Sequence, residues 1–598
     1  MTAPSPLAIA DPLPSFAVII NGKPINDAYR VLSLNIAHSV NSISEAAIVF
    51  ADGDPSSGTF PLSDSSDFIP GNIIEIKAGY GGEPGVSIFT GYIVKSALEI
   101  NTNSGPSLTV TCKHKAVQMT FNRKDSVFSN TLDSDIIKKI INGYGLSCIV
   151  TDTTFKHEAV FQKQATDWDF ILSRADLLGY IVTFKGDAVN VGAPKTDANA
   201  VLRVAYSESI LAFSAELSAE AQATSITASG WDIKNQALLT ANATEPSINK
   251  QGNISAKNLS GALNQTSREL LSGTPTAKDE LKTWADGNLL KMRMSALKGE
   301  VSFIGNGSVW PGSIIELDGV GARFNGNAFV ASVSHEIKDG NWTTTVKFGL
   351  ENTITANKPD FAYPEAAGIL PPIHGLQIAT VKQLFGDEAG QYRILVSIVS
   401  NAGNGSEIWA RLSNFYATSG AGAGFVPEVG DEVVVGFLEN NPGYPVIIGS
   451  LYSTAHKPIT EATSNNNDIK SIVTKSQLKI SFDDAKKIML LQTPGGNSFM
   501  LNDDAKSVEI ADQNGNSIKM TSSGINIISA KDITLKATGN INLDATGGVS
   551  LKAVQEVAIS GMNVSNTAQM AFTAKGNASA ELSSSGQTTV KGGMVMIN

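Results

Sequence analysis

Six histidines, two cysteines and a few adjacent carboxylates are the residues here with the chemistry for a reaction or a metal, and their spacing builds no familiar site. His38, His114, His157, His335, His374 and His456 are scattered, and no two have the spacing of metal ligands on one element. No Gly-x-Ser-x-Gly turn exists to lift a serine nucleophile off the end of a strand. Gly420-Ala421-Gly422-Ala423-Gly424 has the glycines to wrap a phosphate but no following Lys-Ser/Thr to bind it. Asp483-Asp484 and Asp503-Asp504 are candidate carboxylate pairs, yet their surroundings read as turns, where such residues are solvated. Arg174 reads as a structural ion-pair partner. We therefore assign no catalytic, cofactor-binding or metal-ligating residue, expect no cofactor, and expect a chain that is not an enzyme.

The composition agrees with a structural role. The chain has 598 residues, room for several domains, with 17% charged residues and 54 glycines, which suggests a β-rich protein with many turns. A net charge of −11 and the lack of any Lys/Arg run argue against nucleic-acid binding. Cys112 and Cys148 lie in apolar, strand-like contexts and read as two buried thiols. No apolar run approaches the ~20 residues of a membrane helix. The N-terminus lacks a basic segment and a continuous apolar core, so no signal peptide is expected. A protein of this kind is made in the cytoplasm and leaves it only with another machine or on lysis.

The elements follow from pattern. Ser15 to Ile20 and Tyr29 to His38 alternate as strands do. Pro70-Gly71-Asn72-Ile73-Ile74-Glu75-Ile76 leads to a strand carrying Phe89-Thr90-Gly91. Pro311-Gly312-Ser313-Ile314-Ile315-Glu316-Leu317 leads to one carrying Phe324-Asn325-Gly326. We read this phrase as a duplicated β-barrel, with copies near 15–120 and 205–352. Between them, 131–144 has Ile136, Ile137, Ile140 and Ile141 at helical spacing, with Asp133 or Ser134 as cap. A second helix covers 165–180 and closes at Gly179. Residues 235–300 leave the strand pattern: 242–264 reads as a loop and 276–297 as a helix whose Met292 and Met294 belong to a core. Four prolines mark 353–373 as a linker. Residues 374–455 form a small turn-rich β module ending in a hairpin, Asp431 to Phe437 and Pro445 to Tyr452.

The last stretch, 456–598, carries a period of eight. Ile525-x-Ile527, Ile533-x-Leu535, Ile541-x-Leu543, Val549-x-Leu551 and Val557-x-Ile559 recur at that interval, each followed by a small residue: Ser529, Ala537, Ala545, Ala553, Gly561. Apolar strands this short cannot bury themselves and leave open edges. Three chains wound into a β-prism would cover both; a single-chain β-solenoid is the other arrangement.

The hairpin stretch Phe425-Val426-Pro427-Glu428-Val429-Gly430-Asp431-Glu432-Val433, then Gly436-Phe437, then Pro445 through Gly449-Ser450-Leu451-Tyr452, with Trp409-Ala410-Arg411 upstream, closely resembles the OB-fold of VgrG-type spikes and tailed-phage central spikes. Asp167-Trp168-Asp169-Phe170-Ile171 with Arg174-Ala175 and Gly179 resembles the hub of the same family, and the octads resemble its β-helix needle. The resemblance covers nearly the whole chain. It implies a mainly β fold: a hub of duplicated β-barrels with a few helices (1–352), an OB-fold collar and an intertwined trimeric β-helix or prism. It implies a homotrimer that caps and nucleates an inner tube within a baseplate and pierces a target envelope on sheath contraction. The partners implied are inner tube protein, baseplate proteins, a PAAR-repeat tip protein, effector cargo and the target cell envelope, with no nucleic acid.

Residues 453–470 are too short to hold the lysozyme domain that follows the OB-fold in some relatives. No His-x-His near the C-terminus matches the iron-holding tips of others. The short needle and the lack of an effector extension lean towards a released, extracellular particle. The collar hairpin carries Glu428, Asp431, Glu432 and Glu439 and no Lys or Arg, which favours a structural collar over a ligand-binding OB-fold. The alternative function is a trimeric phage tailspike or adhesin for surface glycans. It would need an aromatic- and carboxylate-lined groove, and the octads hold almost no aromatics.

Overall fold

The computed structural model describes residues 3–7, 13–83, 85–103, 105–232, 235–275, 277–353, 365–399, 406–460 and 465–597. Most of the proline-rich linker, 354–364, lies outside them. Two compact units result, Met1–Leu451 and Tyr452–Asn598.

The first unit is organised by a repeat. The six main strands of the first copy are Pro14–Ile20, Val31–Ser39, Glu45–Ala51, Ile73–Tyr80, Val86–Asn101 and Gly105–Lys113. Those of the second are Leu202–Ala205, Ile210–Leu217, Leu297–Ile304, Ile314–Asp318, Gly326–Lys338 and Asn341–Phe348. In both, the hydrogen-bonded order is first, fourth, fifth, sixth, third, second. One difference is the first strand, antiparallel to the fourth in one copy and parallel in the other.

The repeat holds at the level of single hydrogen bonds. Gly71 and Gly312 take φ of 104° and 89°, which side chains resist. Their N–H groups donate to Ile93 O and Val330 O, both at 2.8 Å. The register then slips by one residue at Val94 and at Ala331. A second bulge, between the second and third strands, falls at Leu32 and at Leu211. This register corrects one expectation. Ile74 pairs with Gly91 and Ile315 with Ala328, so Gly91 corresponds to Ala328, not Gly326, and Tyr92 to Phe329. The glycine turn sets the pairing, and the aromatic-x-Gly likeness two residues earlier is incidental.

Each copy keeps its own core, one around Leu34, Ile48, Phe50, Ile76 and Val110, the other around Val204, Phe303, Leu317, Val333 and Phe348. The sheets are joined. The second strand of the first copy pairs antiparallel with the fifth of the second, Leu34 opposite Ile337 and His38 opposite Val333.

Between the copies stand α1 (Asp133–Asn142) and α2 (Asp167–Leu177), on a core with Ile136, Ile140, Trp168 and Ile171. The cap of α1 differs from the expectation. Leu132 occupies that position without a side-chain cap bond, because Asp133 is buried and committed elsewhere. In α2, Thr166 Oγ1 accepts from Asp169 N–H at 3.0 Å, and Gly179 ends the turn at φ 68°. Inside the second copy, 235–300 is more regular than its pattern suggested. Ser225–Asp232, Ala237–Asn242 and Ser267–Pro275 form a sheet. The one-turn α3 (Ala256–Leu259) interrupts the expected loop, and α4 (Lys278–Met294) covers the sheet through Leu281, Ala285, Leu289 and Met292. Met292 and Met294 are both buried.

The collar is a closed barrel of five strands: Gln377–Gln383, Ile394–Ile398, Ser406–Leu412, Pro445–Ser450 and Glu432–Phe437, which returns to the first. Alternation sends Ala379, Val381, Val396, Val433 and Val435 inward. The second unit opens with an antiparallel meander of seven five-residue strands, from Ile469–Val473 to Gly524–Ile528. Its early strands, which lack the exact eight-residue period, thus pair with their sequence neighbours.

Candidate assembly interface

The residues with chemical potential are distributed by the fold into structural tasks. Asp133 takes Arg174 in a two-point pair, Nε at 2.6 Å and a terminal nitrogen at 3.0 Å, and His157 Nε2 lies 2.8 Å away. This ties α1 to α2 and to the strand Lys156–Thr166, and places Arg174 as an ion-pair partner. His38 is buried, its Nε2 donating to Ile88 O and its Nδ1 facing Ser44 Oγ, both at 2.9 Å. His335 comes within 6.4 Å of it, ring to ring, although 297 positions separate them in the chain by their numbers alone. Trp310 and Trp342 close this cluster. Burial holds His38 down at about 4 and His335 at about 3, so both are neutral at pH 7. His114, also buried, is held at about 4. The histidine cluster was not visible in sequence, because no spacing rule links residues on different strands of a sheet.

Among the described residues, no group of three His, Cys, Asp or Glu side chains converges on a point that could hold a metal. Cys112 is buried and its thiol is pushed up to about 12, while Cys148 is only half-buried, which corrects the expectation of two buried thiols. The glycine-rich run forms a small hairpin, Ala417–Thr418 with Ala421–Gly422, in place of a phosphate loop. Asp483-Asp484 and Asp503-Asp504 fall at turns of the meander, where Asp484 pairs with Lys470 and Asp483 accepts from Lys486 N–H.

What the structure does expose is an apolar ladder. From residue 529 to 597, among the described residues, the chain forms no strand and its backbone N–H groups meet no backbone carbonyl. The octad side chains stand open: Ile533 is 55% exposed, Leu535 71%, Ile541 53% and Leu543 69%. A run of this length, with its apolar pairs in water, is incomplete as a single chain. If burial of the exposed remainder gives ~1 kcal/mol per side chain, the five pairs carry on the order of 10 kcal/mol of unrealised stabilisation per chain.

Comparison with known proteins agrees with this geometry. Residues 377–452 match the family described as the type VI secretion system/phage-baseplate injector OB domain. Residues 487–551 match the phage baseplate V C-terminal trimerisation domain. With the hub ahead of them, these modules define a VgrG-type spike. Residues 10–339 match the model of the Alg8 N-terminal domain, more than half of the chain, and the chain belongs to that family. Among curated relatives, the actin cross-linking toxin VgrG1 of Vibrio cholerae is 35% identical over 95 residues, 15% of this chain and 9% of its own length. The spike protein VgrG4b of Pseudomonas aeruginosa is 30% identical over 116 residues, 18% of this chain and 14% of its own. The chain thus spans well under a fifth of either relative.

Solved structures show a partial likeness. A 43 kDa prophage tail protein from Shewanella oneidensis has TM-score 0.42 at 12% identity, over 57% of this chain and 99% of that one. An Escherichia coli type VI secretion component has TM-score 0.37 at 14% identity, over 73% of this chain and 99% of that one. At these scores the assignment rests on the family matches.

Proposed function

We propose that this chain is the trimeric central spike of a contractile injection system, with a mechanical task. The observation that carries the reading is the exposed octad ladder with its unpaired backbone, lying in and beyond the segment matched by a trimerisation domain. Three copies around an axis would turn each apolar pair inward and give each backbone a neighbour, converting an incomplete chain into a stiff rod. The duplicated hub gives three chains six similar units, which suits a three-fold spike to a six-fold tube. The partners that follow are the inner tube, baseplate proteins, a PAAR-repeat cap on the needle and effector cargo. The envelope of a target cell is what the needle meets when sheath contraction drives it.

The chain acts without catalysis of its own. It is made in the bacterial cytoplasm and joins a particle that is released or fired from there.

Light scattering on the purified chain tests this. A mass of three times the 62.8 kDa chain supports the spike, provided it weakens when 471–598 is removed. A monodisperse monomer that keeps a folded C-terminal region overturns it.

A further inference from the structure

We propose that the hub carries a docking cleft for an extended acidic peptide segment of a partner protein, with two carboxylates about four residues apart. The cleft lies within one chain, so it does not depend on the trimeric reading above and goes beyond it.

The platform of the cleft is a small sheet between the repeats, with Ile181–Lys185, Ala188–Gly192 and Cys148–Val150 in that hydrogen-bonded order. Its side chains alternate between two faces. Val150, Val182, Phe184, Val189 and Val191 join the core shared with α1 and α2. The other face carries Thr183 opposite Asn190, and Asn190 opposite Ile149. That face and the turn 310–313 of the second repeat line a cavity of about 380 Å³. Ligand sites span ~300–1,000 Å³. Gly192 leaves the floor open, since a Cβ there would stand 2.3 Å from Thr151 Oγ1.

The charge of the cavity opposes that of the chain. The sequence has 56 acidic residues to 45 basic, yet no Asp or Glu lines the cavity, and Lys185 and Lys195 do. Both lysines are exposed, and neither has an ion pair among the described residues. The carboxylates that flank the platform, Asp152 and Asp187, are held by Lys138 and Lys115. Thr183 is only 9% exposed, and neither its hydroxyl nor the Asn190 amide has a partner among the described residues. Buried polar groups are ordinarily satisfied, so these two await an outside partner.

The arrangement selects the ligand. Lys185 stands at the hairpin end of the platform, and Lys195 follows Gly192 at the other end. The strand between the ends, Ile181–Lys185, covers ~13 Å at ~3.3 Å per residue, which an extended peptide covers in about four residues. Between the lysines, Thr183 and Asn190 offer donors and acceptors to peptide N–H and C=O groups. Trp310 and Ile149, the latter 70% exposed, offer an apolar surface to a side chain. A nucleic-acid backbone would bring a charge at every step and meet only these two cations.

The test is fluorescence polarisation at low salt on the full chain with three rhodamine-labelled probes. The first is Glu-Leu-Thr-Leu-Glu-amide, the second has lysines in place of its glutamates, and the third is Glu-Glu-Leu-Thr-Leu-amide. The first should bind saturably and the other two at least tenfold more weakly. Lys185→Glu with Lys195→Glu should weaken the first probe at least tenfold. Ile149→Asp, an exposed position whose change leaves the fold intact, should weaken it too. Lys23→Glu with Lys257→Glu, the same charge change away from the cleft, should leave binding unchanged. Equal loss in that control overturns the cleft and leaves a general charge attraction. Equal binding of the third probe overturns the spacing. No saturable binding of the first overturns the proposal, as does its full displacement by equimolar succinate, which would mark a site for a free dicarboxylate. The mass by light scattering is read separately and bears on none of these outcomes.

Discussion

Acid should loosen the hub through its buried imidazoles. His38, His114 and His335 are each no more than 3% exposed. Burial lowers them from 6.5 to about 4, 4 and 3. An unfolded chain regains the ordinary value, so it takes up protons first as the pH falls. The folded state is therefore favoured above 6.5 and loses that advantage as the pH drops through the window from 6.5 to about 4 for His38 and His114, and to about 3 for His335. At pH 5 the unfolded imidazole is already 1.5 units below its midpoint while the folded one is still neutral, which is worth ~2 kcal/mol per histidine. His38 and His335 stand 6.4 Å apart, so a proton on one opposes a proton on the other and keeps the folded pair neutral.

The perturbation is a pH series from 7 to 5 on the native chain and on His335→Gln. The assay is urea unfolding followed by tryptophan fluorescence, since Trp310 and Trp342 flank the pair. The native chain should lose stability steeply across this window. The variant, though weaker at pH 7, should lose ~2 kcal/mol less between the two ends. Parallel slopes would mean that His335 does not titrate between the folded and unfolded states, and the buried-neutral account would be wrong.

Three further outcomes are expected. A Cβ on Gly287 of α4 would stand 2.7 Å from Gly179 backbone atoms, so Gly287→Ala should cost about 1–3 kcal/mol, read as a lower melting temperature. Asp133→Ala leaves Arg174 and His157 without their shared buried carboxylate and should destabilise the hub by about 3–5 kcal/mol in denaturant unfolding, whereas a surface change such as Asp135→Ala should stay within about 0.5. In the needle, Ile541→Asp with Leu543→Asp should lower the trimer mass or its melting temperature, while Asn542→Asp between them should leave both unchanged; equal effects would contradict an inward apolar face.

The parts legible in the sequence were those carried by local rules. Alternation in Val31–Ser39, glycine with proline before Ile73 and Ile314, and helical spacing of Ile136, Ile137, Ile140 and Ile141 each act within a few residues. The collar hairpin was readable for the same reason. Two strands in 235–300 were missed, since Ala237–Asn242 and Ser267–Pro275 draw their stability from packing on α4 and not from their own pattern. The cap on α1 was misread because Asp133 had a stronger claim on it, 41 positions away, from Arg174.

The octads mark the same division. Their period, and the certainty that such short apolar strands cannot stand alone in water, come from the sequence by itself, because transfer of apolar surface depends on residue type and spacing alone. The duplicated phrase announced a repeat in the same way. Only the tertiary structure decided how the repeat is used. It set the true correspondence of Gly91 with Ala328 and brought His38 beside His335. Hydrogen-bond register between distant strands is settled by which turns and bulges dock together, and no short-range pattern encodes that.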